Sequence, residues 1–287
     1  MQPKKIFFPI GEGEELEERI RGALIAAKYF NTHLEILTSE LASKIDEFIK
    51  KNVSALDSQI RDELLDGLEE LRKGDRTSRE TLIFERLCRE LDIQVSETPV
   101  EGKTTAAQVV KYGKRSDLVC QQSKFCDLVI AATPPEDSSA ETFEASVVCS
   151  GKPVLVIPRV MTEFNPEKIL VGWNNTAEAS RAISEAIPLL QKAKEVKIVS
   201  TKSYTREDLS DIADLKEYLA LHGIEAAFEL IKTTFIPGEA LLNSAKAGGY
   251  DLIVAGAYGR KGLKEMMLGG SAAYLLKHTT IPTLVSH

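Results

Sequence analysis

The chain has 287 residues, 43% of them hydrophobic and 28% charged, which gives two domains enough apolar material for separate cores. A formal net charge of -7 and a pI near 5.4 exclude the broadly basic surface that nucleic-acid binding requires. No stretch approaches the ~20 apolar residues of a bilayer span, so the chain reads as soluble and cytoplasmic, with neither membrane nor nucleic acid as partner.

The first predicted element is a strand over Lys5-Ile6-Phe7-Phe8-Pro9-Ile10. Its apolar run is too short for a secretory leader and meets Glu12, Glu14, Glu15, Glu17 and Glu18. Gly11-Glu12-Gly13 has the beginning of a dinucleotide fingerprint, but it lacks the third glycine and is interrupted by acids. Residues 40–80 are charged and nearly free of glycine. Leu41, Ile45, Phe48 and Ile49, then Leu56, Ile60, Leu64, Leu65 and Leu68, recur at helical period. That segment reads as an inserted helical hairpin, a lid over the first sheet or a docking surface.

Cys88, Cys120, Cys126 and Cys149 form no Cys-x-x-Cys pair and lie beside no histidine at metal spacing. They are expected to be free thiols in a reducing cytosol. Cys126-Asp127-Leu128-Val129-Ile130-Ala131-Ala132 is an Asp-led strand, and Gly151-Lys152-Pro153-Val154-Leu155-Val156-Ile157-Pro158 is a Pro-led one. Between them, Pro134, Pro135, Glu136 and Asp137 remove donors and add negative charge, which disfavours phosphate there. Pro158 to Pro166 is the predicted linker, dividing the chain into domains 1–160 and 161–287.

The second half repeats this order. Lys168-Ile169-Leu170-Val171-Gly172-Trp173 matches the opening strand, Tyr250-Asp251-Leu252-Ile253-Val254-Ala255-Gly256 the Asp-led strand, and Thr280-Ile281-Pro282-Thr283-Leu284-Val285 the Pro-led one. Short apolar runs without alternation indicate strands buried on both faces. Strands are predicted near 168–173, 195–201, 224–231, 251–256 and 282–286, with helices between them. The expectation is two tandem doubly wound α/β domains, each on a five-stranded parallel sheet. Lys5 to Asp127 spans 122 positions and Lys168 to Asp251 spans 83, so the 39 extra residues of the first half fall in the 40–80 insertion.

After the second Asp-led strand the second half gains five residues, in Gly256-Ala257-Tyr258-Gly259-Arg260-Lys261-Gly262-Leu263-Lys264-Glu265-Met266-Met267-Leu268-Gly269-Gly270-Ser271. This segment leaves the carboxyl end of a strand and enters the last helix, where open α/β sheets bind ligands. Glycines let backbone approach an anion, a helix start presents free N–H groups, and Arg260 or Lys261 and the Ser271 hydroxyl add donors.

Here the chain resembles the universal stress protein family. Its nucleotide-binding members carry Gly-x-x-Gly, nine residues, then Gly followed by Ser or Thr. This chain has Gly256-x-x-Gly259, nine residues and Gly269, with Gly270 in the Ser/Thr position and Ser271 one place later. The resemblance implies the adenine nucleotide alpha hydrolase-like fold and a bound ATP, ADP or AMP, with or without magnesium, and no tightly held metal. It implies a nucleotide site in the second domain formed by Asn174, Thr201, Gly256, Gly259, Arg260, Gly269, Gly270 and Ser271. Asn174 stands where family members carry Asp near the ribose or base, and Thr201 ends the second strand, where backbone meets the adenine edge. It also implies antiparallel pairing of Val154–Ile157 with Thr283–Val285, a role as stress-response sensor or regulator, an unidentified protein partner and a homodimer of the tandem chain.

The chain has no Gly-x-x-x-x-Gly-Lys-Ser/Thr, Gly-x-Ser-x-Gly or His-Glu-x-x-His motif, and Trp173-Asn174-Asn175-Thr176 replaces the Ser-Gly-Gly-x-Asp-Ser loop of ATP pyrophosphatases. His33, His222, His278 and His287 are scattered, with His278 read as a helix-end cation. No catalytic residue is assigned. Two rival readings are a slow ATPase and a nucleotide-free interaction module docking through the 40–80 insertion. Trp173 and Tyr258 are expected to pack rather than stack on a base.

Overall fold

The computed structural model describes residues 2–10, 15–40, 79–133, 141–201, 210–232, 236–257 and 271–287, except for the side chains of Glu40, Tyr112, Thr201, Ser271, Ala272, Ala273 and Leu276. The first half runs β1 (Lys5–Ile10), α1 (Leu16–Phe30), β2 (His33–Glu40), α2 (Arg79–Glu90), β3 (Gln94–Val95), β4 (Thr105–Tyr112), α3 (Arg115–Gln122), β5 (Leu128–Ala132), α4 (Glu141–Val148) and β6 (Val154–Ile157). The second runs β7 (Lys168–Gly172), α5 (Ala177–Leu190), β8 (Glu195–Thr201), α6 (Ser210–Leu221), β9 (Ala227–Ile231), α7 (Pro237–Gly248), β10 (Leu252–Gly256), α8 (Ser271–His278) and β11 (Thr283–Ser286). The expected helical insertion falls on residues 41–78, outside the described residues.

Local chemistry sets the helix ends. In α1, Leu16, Ile20, Ala23, Leu24 and Ala27 recur at helical spacing on the buried face, with Glu17 and Glu18 at the first turn and Lys28 at the last. Asn31 then turns left-handed and returns its N–H to Ala27 and Lys28. Helix α7 begins on Pro237 and ends before Gly249 at φ +64°, the usual asymmetry of proline at the start and glycine past the end.

Among the described residues, eleven strands form one sheet in the order β3-β4-β2-β1-β5-β6-β11-β10-β7-β8-β9. Each half is parallel within itself. The halves join through β6 and β11, which run antiparallel with Thr283 opposite Val156, Leu284 opposite Leu155 and Val285 opposite Val154. The strand carboxyl ends of the two halves therefore lie at opposite edges of the sheet. The first half departs from the expected five strands by the two-residue edge strand β3, whose Gln94 and Val95 pair with Thr105 and Ala106.

Helices cover both faces. On one face α1, α2, α5 and α6 close a single core running through both halves, from Phe84 and Leu87 to Leu215 and Leu219. On the other, α3 and α4 cover a cluster that includes Val285 and Ala257 of the second half, and α7 and α8 cover a third. The segment between β6 and β7 is packed rather than loose. Met161 and Phe164 are buried, and the Phe164 ring meets Tyr29 and Phe30 of α1 at centroid distances of 5.0 and 5.9 Å.

The sequence repeat has an atomic basis. Asp127 Oδ2 accepts the backbone N–H groups of Lys4 and Lys5 at 2.8 and 3.1 Å, and Asp251 Oδ2 accepts those of Glu167 and Lys168 at 3.2 and 2.8 Å. Each aspartate pins the start of its half's central strand. Ahead of the Pro-led strands, the Ser150 and Thr279 hydroxyls each bracket the pre-proline residue, accepting the N–H and meeting the carbonyl of Lys152 and Ile281 respectively.

The cysteine expectation needs correction. Cys120 and Cys149 form a disulfide with Cα atoms 5.0 Å apart, while Cys88 and Cys126 are free and buried. Their separation of 29 residues carries no sequence signal, because the side-by-side packing of α3 and α4 brings them together. Among the described residues no helix is long and apolar enough to cross a membrane.

Two outcomes are expected. Asp127→Ala and Asp251→Ala should each lower unfolding free energy by about 1–2 kcal/mol, measured from urea midpoints, as two N–H groups lose a charged acceptor. Unchanged midpoints would remove the clamp from the account. The second concerns His33, whose ring is buried with Nδ1 2.8 Å from Thr105 Oγ1. Burial, with the nearby Lys5 charge, holds the imidazole below its ordinary 6.5. The unfolded chain takes up this proton first, so His33 contributes stability above about pH 6.5 that is lost as pH falls towards the folded value. The drop in Tm between pH 7.5 and 5.5 should be smaller in His33→Gln.

Candidate functional site

Three strands of the second half end at one edge: β7 at Gly172, β8 at Thr201 and β10 at Gly256. Strand β7 lies between the other two, with Gly172 opposite Val199 on one side and Ala255 on the other. The chain leaves β7 through α5 towards β8, and leaves β10 through α8 towards β11. The two crossovers part between β7 and β10, and such a reversal of strand order is where open α/β sheets form their ligand crevice.

The wall after β7 is tightly organised. Asn175 is left-handed at φ +54°, and Thr176 caps α5 by accepting the N–H of Ala179 at 3.3 Å. The same hydroxyl donates to Asn174 Oδ1 at 2.9 Å. This contact fixes the Asn174 side chain beside the end of β7. Trp173 is held by its backbone N–H to Val199 O at 2.9 Å and by its indole N–H to Asp211 Oδ2 at 3.0 Å, in the first turn of α6. It packs, as expected.

The end of β10 itself is closely packed. A Cβ on Gly256 would lie 2.5 Å from Ala179 N and 2.8 Å from Glu178 C, so the first turn of α5 touches backbone that only glycine provides. Gly256 thus has a packing role independent of any ligand. Ala257 is buried, its N–H bonds Ser286 O at 2.8 Å, and His287 Nδ1 lies 3.2 Å from its carbonyl.

The two helix starts at this edge differ electrostatically. Helix α5 carries Glu178 in its first turn, 3.8 Å from Arg181, and its Ala179 N–H is already capped. Helix α8 has no acidic residue in its first turn, so its dipole is the more receptive to an anion.

Of the residues singled out from sequence, the structure brings Asn174, Thr201 and Gly256 to the ends of neighbouring strands, and Ser271 is the first residue of α8. Gly259, Arg260, Gly269, Gly270 and Tyr258 lie outside the described residues, as does the 134–140 segment of the first half. Sequence reasoning passed over Thr176 and Asp211. The first had a signal, a threonine opening a helical run; the second, 38 residues from Trp173, had none. Among the described residues no group of three His, Cys, Asp or Glu is placed to hold a metal ion.

Residues 167–287 match the profile described as the Universal stress protein family. The universal stress protein YxiE of Bacillus subtilis (strain 168) is 39% identical over 80 residues, which take in 28% of this chain and 53%, about half, of that relative. Across the whole chain, the fold is similar to the crystal structure of a universal stress protein from Archaeoglobus fulgidus DSM 4304, with TM-score 0.67, 16% identity, and coverage of 100% of this chain and 96% of that one. It is also similar to a functionally unknown protein from Pseudomonas aeruginosa PAO1, with TM-score 0.55, 18% identity, and coverage of 99% and 92%.

The close approach of α5 makes Gly256→Ala destabilising by about 1–3 kcal/mol through overpacking against backbone. Thermal unfolding without added ligand would measure it, and an unaltered Tm would mean that α5 yields.

Proposed function

We propose, from the premise that the second half of the chain, residues 167–287, belongs to the universal stress protein family, that this half binds an adenine nucleotide as a sensor or regulator. The observation that carries the reading is the junction of β7 and β10. Strand order reverses there, and the chain continues from Gly256 to the start of α8 at the same edge. The ligand is ATP, ADP or AMP, with magnesium accompanying the phosphates where present. Backbone N–H groups of Gly259, Gly269 and Gly270, the start of α8 and the Ser271 hydroxyl receive the phosphates, with Arg260 supplying a cation. The Asn174 amide donates to ribose or base, and backbone at Thr201 meets the adenine edge.

The fit is asymmetric along the crevice. The capped and acidic start of α5 suits the neutral ribose, and the start of α8, with no acidic residue in its first turn, suits the anion. Asn174 in place of a carboxylate removes a repulsion from the phosphates. The chain divides into a degenerate domain, 1–160, and a nucleotide domain, 161–287. It works in the cytoplasm as a homodimer of tandem chains, signalling to a protein partner through its ligand state.

Nucleotide released from denatured, purified protein and identified by chromatography tests the reading. Wild type should release adenine nucleotide, or bind ATP with magnesium on titration. Folded Gly259→Glu and Gly269→Glu variants should lose binding by at least 100-fold, about 2.7 kcal/mol, because the added carboxylate brings bulk and like charge against the phosphates. A wild type that neither releases nor binds nucleotide would overturn the proposal.

A further inference from the structure

We propose that Cys120 and Cys149 are a reversible redox couple, a dithiol that closes to a disulfide when a peroxide reaches the protein and reopens under thiol reductants. The pair is set apart from the other cysteines by placement. Cys88 and Cys126 are buried in the cores, where burial pushes both thiols up to about 12, so neither supplies thiolate at neutral pH. Cys120 and Cys149 are each partly exposed, at the ends of two helices packed side by side, with Cα atoms 5.0 Å apart, within the range a disulfide spans without moving backbone. A disulfide between partly exposed sulfurs is one that thiol reductants can reach, so the bond is placed to open and close.

The chemistry balances with one equivalent of hydrogen peroxide. One thiolate attacks a peroxide oxygen and the O–O bond breaks, leaving a sulfenic acid and, after protonation of hydroxide, one water. The second sulfur attacks the sulfenic sulfur, the S–O bond breaks, and the hydroxyl leaves with the remaining thiol proton as a second water. Two thiols and one peroxide give one disulfide and two waters. A dithiol reductant reverses this by two exchange steps.

The bond ties the helix before β5 to the helix after it. Those helices cover the cluster in which Phe143, Ala145 and Val147 of α4 meet Val154 and Val156 of β6 and Val285 and Ala257 of the second half. Closing a loop with a sequence separation of 29 removes conformational freedom from the unfolded chain. Oxidation therefore tightens the layer over the seam between the halves, and the readout is stability rather than shape.

The full-length chain is reduced, freed of reductant under nitrogen and treated with one equivalent of hydrogen peroxide. Thiols are then counted in denaturant, peptides are mapped, and Tm is measured before and after addition of dithiothreitol. The expected result is a fall from four free thiols to two, a Cys120–Cys149 peptide pair within one chain, and a Tm gain of about 5–10 °C that dithiothreitol abolishes. Cys120→Ser and Cys149→Ser should each lose the Tm gain, and the reduced Tm of each, close to that of reduced wild type, certifies folding. An unchanged thiol count, a bond between chains or to Cys88 or Cys126, or a Tm indifferent to oxidation would each overturn the proposal.

Discussion

The antiparallel pairing of β6 with β11 is the contact on which the rest of the molecule depends. Strands buried on both faces cannot leave an open edge to water, since unpaired N–H and C=O groups and apolar side chains would both be exposed. Each half has such an edge at its last strand, Val154–Ile157 and Thr283–Ser286, whose residues are buried. Joining the two removes both edges at once and produces one eleven-stranded sheet. Because the join is antiparallel, the carboxyl edges of the halves face opposite ways.

The join also shapes the packing. One helical layer shares a continuous core through both halves, while the opposite layer is divided into α3 with α4 and α7 with α8. The divided layer nonetheless crosses the seam, since the cluster under α3 and α4 includes Val285 and Ala257. Ala257 immediately follows Gly256 at the exit of β10. The α3–α4 layer therefore packs directly against the exit of β10.

The candidate edge shows how one residue type serves two purposes. Gly256 has the first position in the glycine pattern, yet its neighbours alone require glycine there: α5 approaches within 2.5 Å of where a Cβ would stand. The first turn of α5 that makes this approach is capped by Thr176, which also fixes Asn174 beside the end of β7. A tight strand-to-helix packing and a preorganised polar group are therefore products of one geometry.

The sequence by itself determined what rests on local pattern. Apolar runs without alternation marked the doubly buried strands, the predicted 195–201 matching β8, and the Asp-led and Pro-led repeats marked the two halves. Spacing placed the glycine segment between a strand end and a helix start, because those signals lie within a few residues of one another. Tertiary structure decided what depends on residues far apart in the chain. It gave Asp127 and Asp251 their task at strands more than 80 positions away, and placed Asp211 on the Trp173 indole. It added β3 at the edge of the first sheet and paired Cys120 with Cys149 where spacing suggested free thiols. The reason is the same in each case: periodicity reports which face of an element is buried, and only packing decides what that face meets.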